Sequence, residues 1–258
     1  MHATRWAVLV CVVVAALGSP GVGAAAAANG DCSFPITRTD ATGTTVTVAE
    51  DPDDVVTVSP SAAQTMYEID AWDEVVGVTT YASYLPGADE KTTVGSGFGS
   101  PTVEGTIALD PDLVLAPNSV PSSVVQSLRG AGLTVYQFEE AEDLEDIEEK
   151  TRLTGELVGH CEGANARADE MARQLDVIRA AVDDVERPKA FFSFAPGGWT
   201  VGDDTFIHEA IETAGGDNIA ADDPGINEFG SYTSGYFPVN AEIVVQSDPA
   251  WFVLDSGG

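Results

Sequence analysis

Two stretches of this chain carry a carboxylate at the same point of the same layout. Glu104 heads "VEGTIALDPDLVL" and Glu242 heads "AEIVVQSDPAWFVL". Each reads as an acid in a first helical turn, then an Asp-Pro turn, then an apolar strand. A helix N-terminus favours negative charge, so either acid alone is what plain dipole matching produces. The duplication points further, to an exposed anion that pairs with a cation on another molecule.

Other chemistry is thinly represented. His160 and His208 stand far apart with no HxxxH or CxxC spacing, which argues against a side-chain site for free zinc or manganese. "GSGFG" (95–99) mimics a phosphate-cradling loop but lacks the full Rossmann spacing and any P-loop lysine. Glycines that let backbone approach a ligand explain it equally well. "GDD" at Gly202–Asp204 reads as a catalytic carboxylate pair or as a loop before a helix. No GxSxG elbow or Ser-His-Asp order appears. The expectation is a protein with no catalytic residues and no bound metal of its own; a surface enzyme or a sensor is the alternative.

The charge is extreme, with 11 Lys+Arg against 42 Asp+Glu and a net charge of −31. Such a surface repels nucleic acid and anionic membranes. The acids are spread along the whole chain and lysine is confined to Lys91, Lys150 and Lys189. That pattern suits a halophilic protein working where salt screens self-repulsion. Residues 1–28 read as a secretory signal, with Arg5 ahead of "WAVLVCVVVAALG" and small residues after it. An uncleaved anchor is the alternative. The chain is expected outside the cytoplasm, at the extracellular face of the membrane or in a periplasm-like space. Removing the signal leaves Cys32 and Cys161. An even pair in an exported protein suggests a disulfide, and two buried thiols are the other possibility.

The elements that must position these groups alternate. "TTVTV" and "DDVVTVSP" read as strands, and "SAAQTMYEI" as a helix capped by its own leading Ser61. "DEVVGVT", "DLVLAP" and "LTVYQF" read as strands with helices between, which implies an α/β layer with a mostly parallel sheet over 32–158. Between 159 and 187, Ala164, Ala168, Met171, Leu175, Ile178, Val182 and Val185 form one apolar stripe. It predicts a helix over ~30 Å long, acting as a strut between lobes or packed on one of them. A second α/β unit spans 188–258, with "KAFFSF" as a strand and "TFIHEAIETAGG" as a helix.

In this order the landmarks "VVTVSPSAAQTMYEI", "EVVGVTTYASYLP", "VEGTIALDPDLVLAP", "LRGAGLTVYQF", "TRLTGELVG", "WTVGDDTFIHEAIETAGGDNIAA" and "VNAEIVVQSDPAWFVL" resemble the ABC-transporter substrate-binding proteins of the iron-siderophore and cobalamin class. The resemblance implies two Rossmann-like α/β lobes joined by a single long interlobe helix. It implies a monomer that captures a metal chelate in the interlobe cleft and delivers it to a membrane permease with its ATPase. Glu104 and Glu242 match the glutamates that dock onto permease arginines. Tyr81, Tyr84 and Phe98 from the first lobe, and Trp199, Tyr236 and Phe237 from the second, are the expected ligand walls; core or loop packing is the alternative for each. Tyr232 lies in the same second-lobe stretch. The cleft loops, about 79–100, 193–206 and 222–240, hold one basic residue, Lys91. Burying an unpaired anion is costly, so a corrinoid such as cobalamin is favoured over a ferric siderophore or haem. Relatives continue beyond "WFVLDSGG", so the second lobe reads as truncated.

Overall fold

The computed structural model describes residues 32–96, 101–194, 198–222 and 235–255. The signal segment, Phe98 and Tyr232 lie outside them. A hairpin of β1 (Ile36–Thr39) and β2 (Thr45–Val48) comes first. Then follow β3 (Val55–Thr57), α1 (Pro60–Glu68), β4 (Val75–Thr79), β5 (Thr92–Gly95), α2 (Val103–Ile107), β6 (Leu113–Ala116), α3 (Ser122–Gly130) and β7 (Val135–Gln137). Two longer helices come next, α4 (Leu144–Leu157) and α5 (Cys161–Val182). The remaining elements are β8 (Lys189–Phe194), β9 (Trp199–Val201), α6 (Phe206–Thr213), β10 (Asp217–Asn218), α7 (Ile219–Asp222), β11 (Tyr236–Pro238), α8 (Ala241–Ser247) and β12 (Trp251–Asp255).

The first lobe is a sheet in the order β5-β4-β3-β6-β7, parallel at every pairing. Its strands are apolar on both faces, as a sheet covered by helices on both sides requires. Alternation along each strand assigns the faces. Val55, Leu113 and Leu115 pack with Met66 of α1 and Leu157 of α4. Val56, Val114 and Ala116 pack with Val125 and Leu128 of α3.

The second lobe is mixed rather than mostly parallel. β8 runs parallel to β10 and β12, while β9 is antiparallel to both β8 and β11. The connection from Phe194 to Trp199 is too short for a crossover, so the chain returns antiparallel. Its cores are small, one around Phe191, Phe237 and Val244, the other around Phe192, Val201 and Ile211.

Two local expectations need correction. Ser59, not Ser61, caps α1, accepting the Ala62 amide at 3.1 Å. Pro60 occupies the first helical position, where its fixed φ fits and its missing N–H costs nothing, and this moves the cap one residue ahead of it. The stripe on α5 is buried only at its start, at Ala164 and Ala168, whereas Ile178 and Val185 are exposed. Gly155 explains the tight start: a Cβ there would stand 2.2 Å from the Ala164 Cβ, so α4 and α5 approach closely at that point. Cys32 and Cys161 are joined by a disulfide with a Cα–Cα distance of 5.6 Å and a sequence separation of 129. Closing a loop of that length contributes about 4–5 kcal/mol in the chain-entropy treatment.

Candidate functional site

Loops at the C-terminal ends of parallel strands are where α/β sheets place their ligands. β4 ends in a 3-10 turn, Thr80–Ala82, held to the next strand by Thr80 Oγ1 donating to Gly95 O at 3.2 Å. The turn leaves Tyr81 at 37% and Tyr84 at 58% exposure. The Tyr84 hydroxyl donates to Gln64 Oε1 on α1 at 2.7 Å, which fixes the ring, and partial burial raises its pKa above the usual phenol value.

Lys91, the one basic residue of the expected cleft loops, is committed elsewhere. Its Nζ donates to Trp72 O at 3.0 Å and lies 5.2 Å from the centre of the Trp72 ring. That cation ties the start of β5 to Trp72.

The second lobe contributes β9 and β11. Trp199 opens β9 at 44% exposure, opposite Pro238 in the register. Tyr236 is half-buried with its ring 5.8 Å from Phe194. Burial raises the Tyr236 pKa, and the charge of Glu140 adds to the rise. Glu140 follows β7 of the first lobe, so the two lobes come within electrostatic reach there, and Asn118 Nδ2 holds that carboxylate at 3.2 Å. Phe237 is 3% exposed and packs with Phe191, Ile219 and Val244. Successive strand residues face opposite sides of the sheet, so Tyr236 packs against the Phe192–Val201–Ile211 core while Phe237 is buried in the other; Phe237 is not part of a ligand wall here.

The two acid-headed units superimpose in their local layout. Glu104 and Glu242 are both exposed and both sit in the first turn of a short helix. Asp110 and Asp248 follow with φ of 49° and 48°, both in the left-handed region and both before a proline. β6 and β12 then begin at Leu113 and Trp251, the same offset in each unit. Among the described residues neither glutamate has an ion-pair partner.

The histidines stay apart. His160 Nε2 lies 3.1 Å from Glu74 Oε1, and His208 Nδ1 lies 3.3 Å from Asn218 Nδ2. Asp203 and Asp204 lie in the loop before α6, which Thr205 caps by accepting the His208 amide at 3.1 Å. Two features escaped the sequence reading. Glu209 of α6 reaches the head of α4, and Lys150 lines a cavity of about 110 Å³ between α1 and α4. The only signal for Lys150 was its rarity, a lysine inside the acid-rich "DLEDIEEKTRL".

Comparison with known proteins agrees with this architecture. A "Cobalamin-binding protein" of Halobacterium salinarum is 43% identical over 260 residues, covering 96% of this chain and 68% of that protein. An uncharacterized ABC transporter substrate-binding lipoprotein, YvrC of Bacillus subtilis, is 28% identical over 236 residues, covering 87% of this chain and 70% of its own length. The crystal structure of the heme binding protein HmuT shares the fold with a TM-score of 0.71 at 24% identity, covering 89% of this chain and 74% of that one. The model of the periplasmic binding protein family matches residues 55–257, and with this extent of agreement the chain belongs to that family.

Proposed function

We propose that this chain is the extracytoplasmic substrate-binding protein of an ABC importer, and that it captures a nearly neutral metal chelate, a corrinoid, in the cleft between its lobes. The observation that carries this reading is its 43% identity, over 96% of its length, to a protein named as cobalamin-binding. The local chemistry supports it. Tyr81, Tyr84, Trp199 and Tyr236 supply large aromatic faces at low entropy cost, and Lys91 is tied to Trp72. A ferric siderophore or haem is the second reading; the haem-binding structure shares the fold, which by itself does not select a ligand.

Glu104 and Glu242 are the proposed docking acids, one on each lobe, held out in equivalent helix–Asp–Pro–strand units toward cationic groups of the permease. No catalysis is assigned to any residue. Equilibrium dialysis against cyanocobalamin tests the reading. Saturable retention, with the ligand recovered unchanged after the protein is denatured, supports it. Absence of retention, or recovery of a converted product, overturns it.

A further inference from the structure

The cavity between α1 and α4 lies at the C-terminal edge of the first sheet, beside Pro117 and Phe138, the residues that follow β6 and β7. Its volume, about 110 Å³, is well below the ~300–1,000 Å³ of pockets that enclose whole ligands. It has room for a side arm and not for a macrocycle. Its polar wall consists of Ser59, Ser61, Thr65, Lys150, Thr151 and Thr154.

The hydrogen bonds of that wall decide what it can receive. Thr65 donates to Ser61 O at 3.0 Å, Thr151 to Ile147 O at 2.9 Å and Thr154 to Lys150 O at 2.8 Å. Each threonine proton is therefore committed inside its own helix, and only the oxygen lone pairs remain. Lys150 is the opposite case. Among the described residues its ammonium has no hydrogen bond or ion pair, so its three N–H donors are uncommitted in a half-buried position. Ser59 and Ser61 share one hydrogen bond, which leaves one of their two protons over, so the wall offers the ammonium and one serine hydroxyl as donors beside several acceptors.

We propose that this cavity is a carboxamide subsite, in which Lys150 Nζ donates to the amide carbonyl oxygen and threonine hydroxyl oxygens accept the amide N–H groups. The inference rests on the binding-protein reading above and adds which chelates the cleft admits, those bearing neutral amide arms. A carboxylate can accept from the ammonium and the serine hydroxyl, but it has no proton to give the threonine oxygens and would face their lone pairs. Asp146, Glu140 and Glu139 already act on the ammonium, although burial still holds Lys150 below the usual lysine range. An apolar arm would leave the half-buried ammonium unpartnered. Corrinoids carry carboxamide arms on their rim, whereas haem carries carboxylates, so this subsite separates two chelates that the aromatic walls alone do not.

The full-length protein and its Lys150→Met and Thr151→Val variants are titrated with cyanocobalamin and with the set of its monocarboxylates, each having one rim amide hydrolysed. Melting curves check that both variants fold. The expected result is that one monocarboxylate binds the wild type about tenfold or more weakly than the parent, that both variants weaken the parent by a similar factor, and that the preference vanishes in them. Unchanged parent affinity in both folded variants overturns the subsite while leaving the binding-protein reading intact. If the wild type binds no corrinoid, that reading has lost its ligand, and the cavity is tested alone with propionamide against propionate, following the Ile147 methyl signals by NMR. Saturable shifts with propionamide and none with propionate support the subsite; any other pattern overturns it.

Discussion

Glu209 of the second lobe accepts the backbone N–H of Leu144 in the first, Oε2 to N at 2.6 Å. Its other oxygen lies 3.2 Å from Nη2 of Arg179 on α5. One carboxylate thus joins α4, α5 and α6. The head of α4 already has a capping box from Asp143 and Asp146, and Glu209 takes the first helical amide that the box leaves open. Because Glu209 and Arg179 are both partly exposed, their ion pair adds little. Replacing Glu209 by Ala is expected to cost about 1 kcal/mol and to speed hydrogen exchange at the Leu144 amide selectively. An unchanged exchange rate there would remove Glu209 as the link.

Asp40 is a buried carboxylate that ties the β1–β2 hairpin to the sheet. It accepts from the Thr42 amide at 2.9 Å, the Thr42 hydroxyl at 2.6 Å and the Gln137 amide at 3.1 Å, and pairs with Arg129. Burial pushes its pKa up, but the bonds from Thr42, Arg129 and Gln137 outweigh that and hold it below the usual carboxylate range. A lowered folded pKa means the stabilisation is complete above the unfolded value of ~3.9. It is lost as the pH falls through the folded value. Asp40→Ala, which removes the counter-charge of Arg129 and leaves it only neutral oxygen partners, is expected to lose about 3 kcal/mol in urea at neutral pH and constant salt. Asp40→Asn should flatten the acid limb of the stability profile. A wild-type acid limb matched by Asp40→Asn would contradict this account.

The equivalence of Glu104 and Glu242 leads to a functional expectation. A Glu104→Arg, Glu242→Arg double variant should bind ligand as the wild type does, because both side chains are exposed in the first turns of short helices. If the docking role holds, the variant should fail to support uptake in cells carrying the proposed permease, and each single variant should fail in part. Full uptake by the double variant would end the docking role.

The parts of this architecture that the sequence disclosed are those with a period or a repeat. The apolar strands of the first lobe and the two Glu–Asp–Pro units were readable because their spacing carries over directly into geometry. Choices made by a single neighbouring residue were harder. Pro60 moved the cap of α1 to Ser59. Strand parity separated Tyr236 from Phe237, because adjacent positions on one strand cannot share a face. Lys150 was hidden because charges were counted by stretch, whereas its significance depends on which cavity wall it joins. The contact between Glu209 and Leu144 spans 65 residues and has no local signature.

A net charge of −31 makes a salt response the natural bulk test. Raising the ionic strength from ~0.1 M to ~1 M shortens the screening length from ~10 Å to ~3 Å. Exposed ion pairs such as Arg38–Glu156 weaken under those conditions, but repulsion among the far more numerous acids weakens more. The thermal midpoint is expected to rise steeply between these conditions in potassium chloride. A flat or falling midpoint would contradict a surface adapted to salt.

The central claim is tested most directly by titrating the full-length protein, in molar salt, with cyanocobalamin, haem and a ferric hydroxamate while following intrinsic tryptophan fluorescence. The account predicts saturable one-to-one quenching by cyanocobalamin at the lowest ligand concentration of the three, with no chemical change in the ligand. No saturable response to any of the three below millimolar concentration, or a response to haem at lower concentration than to cyanocobalamin, would contradict it.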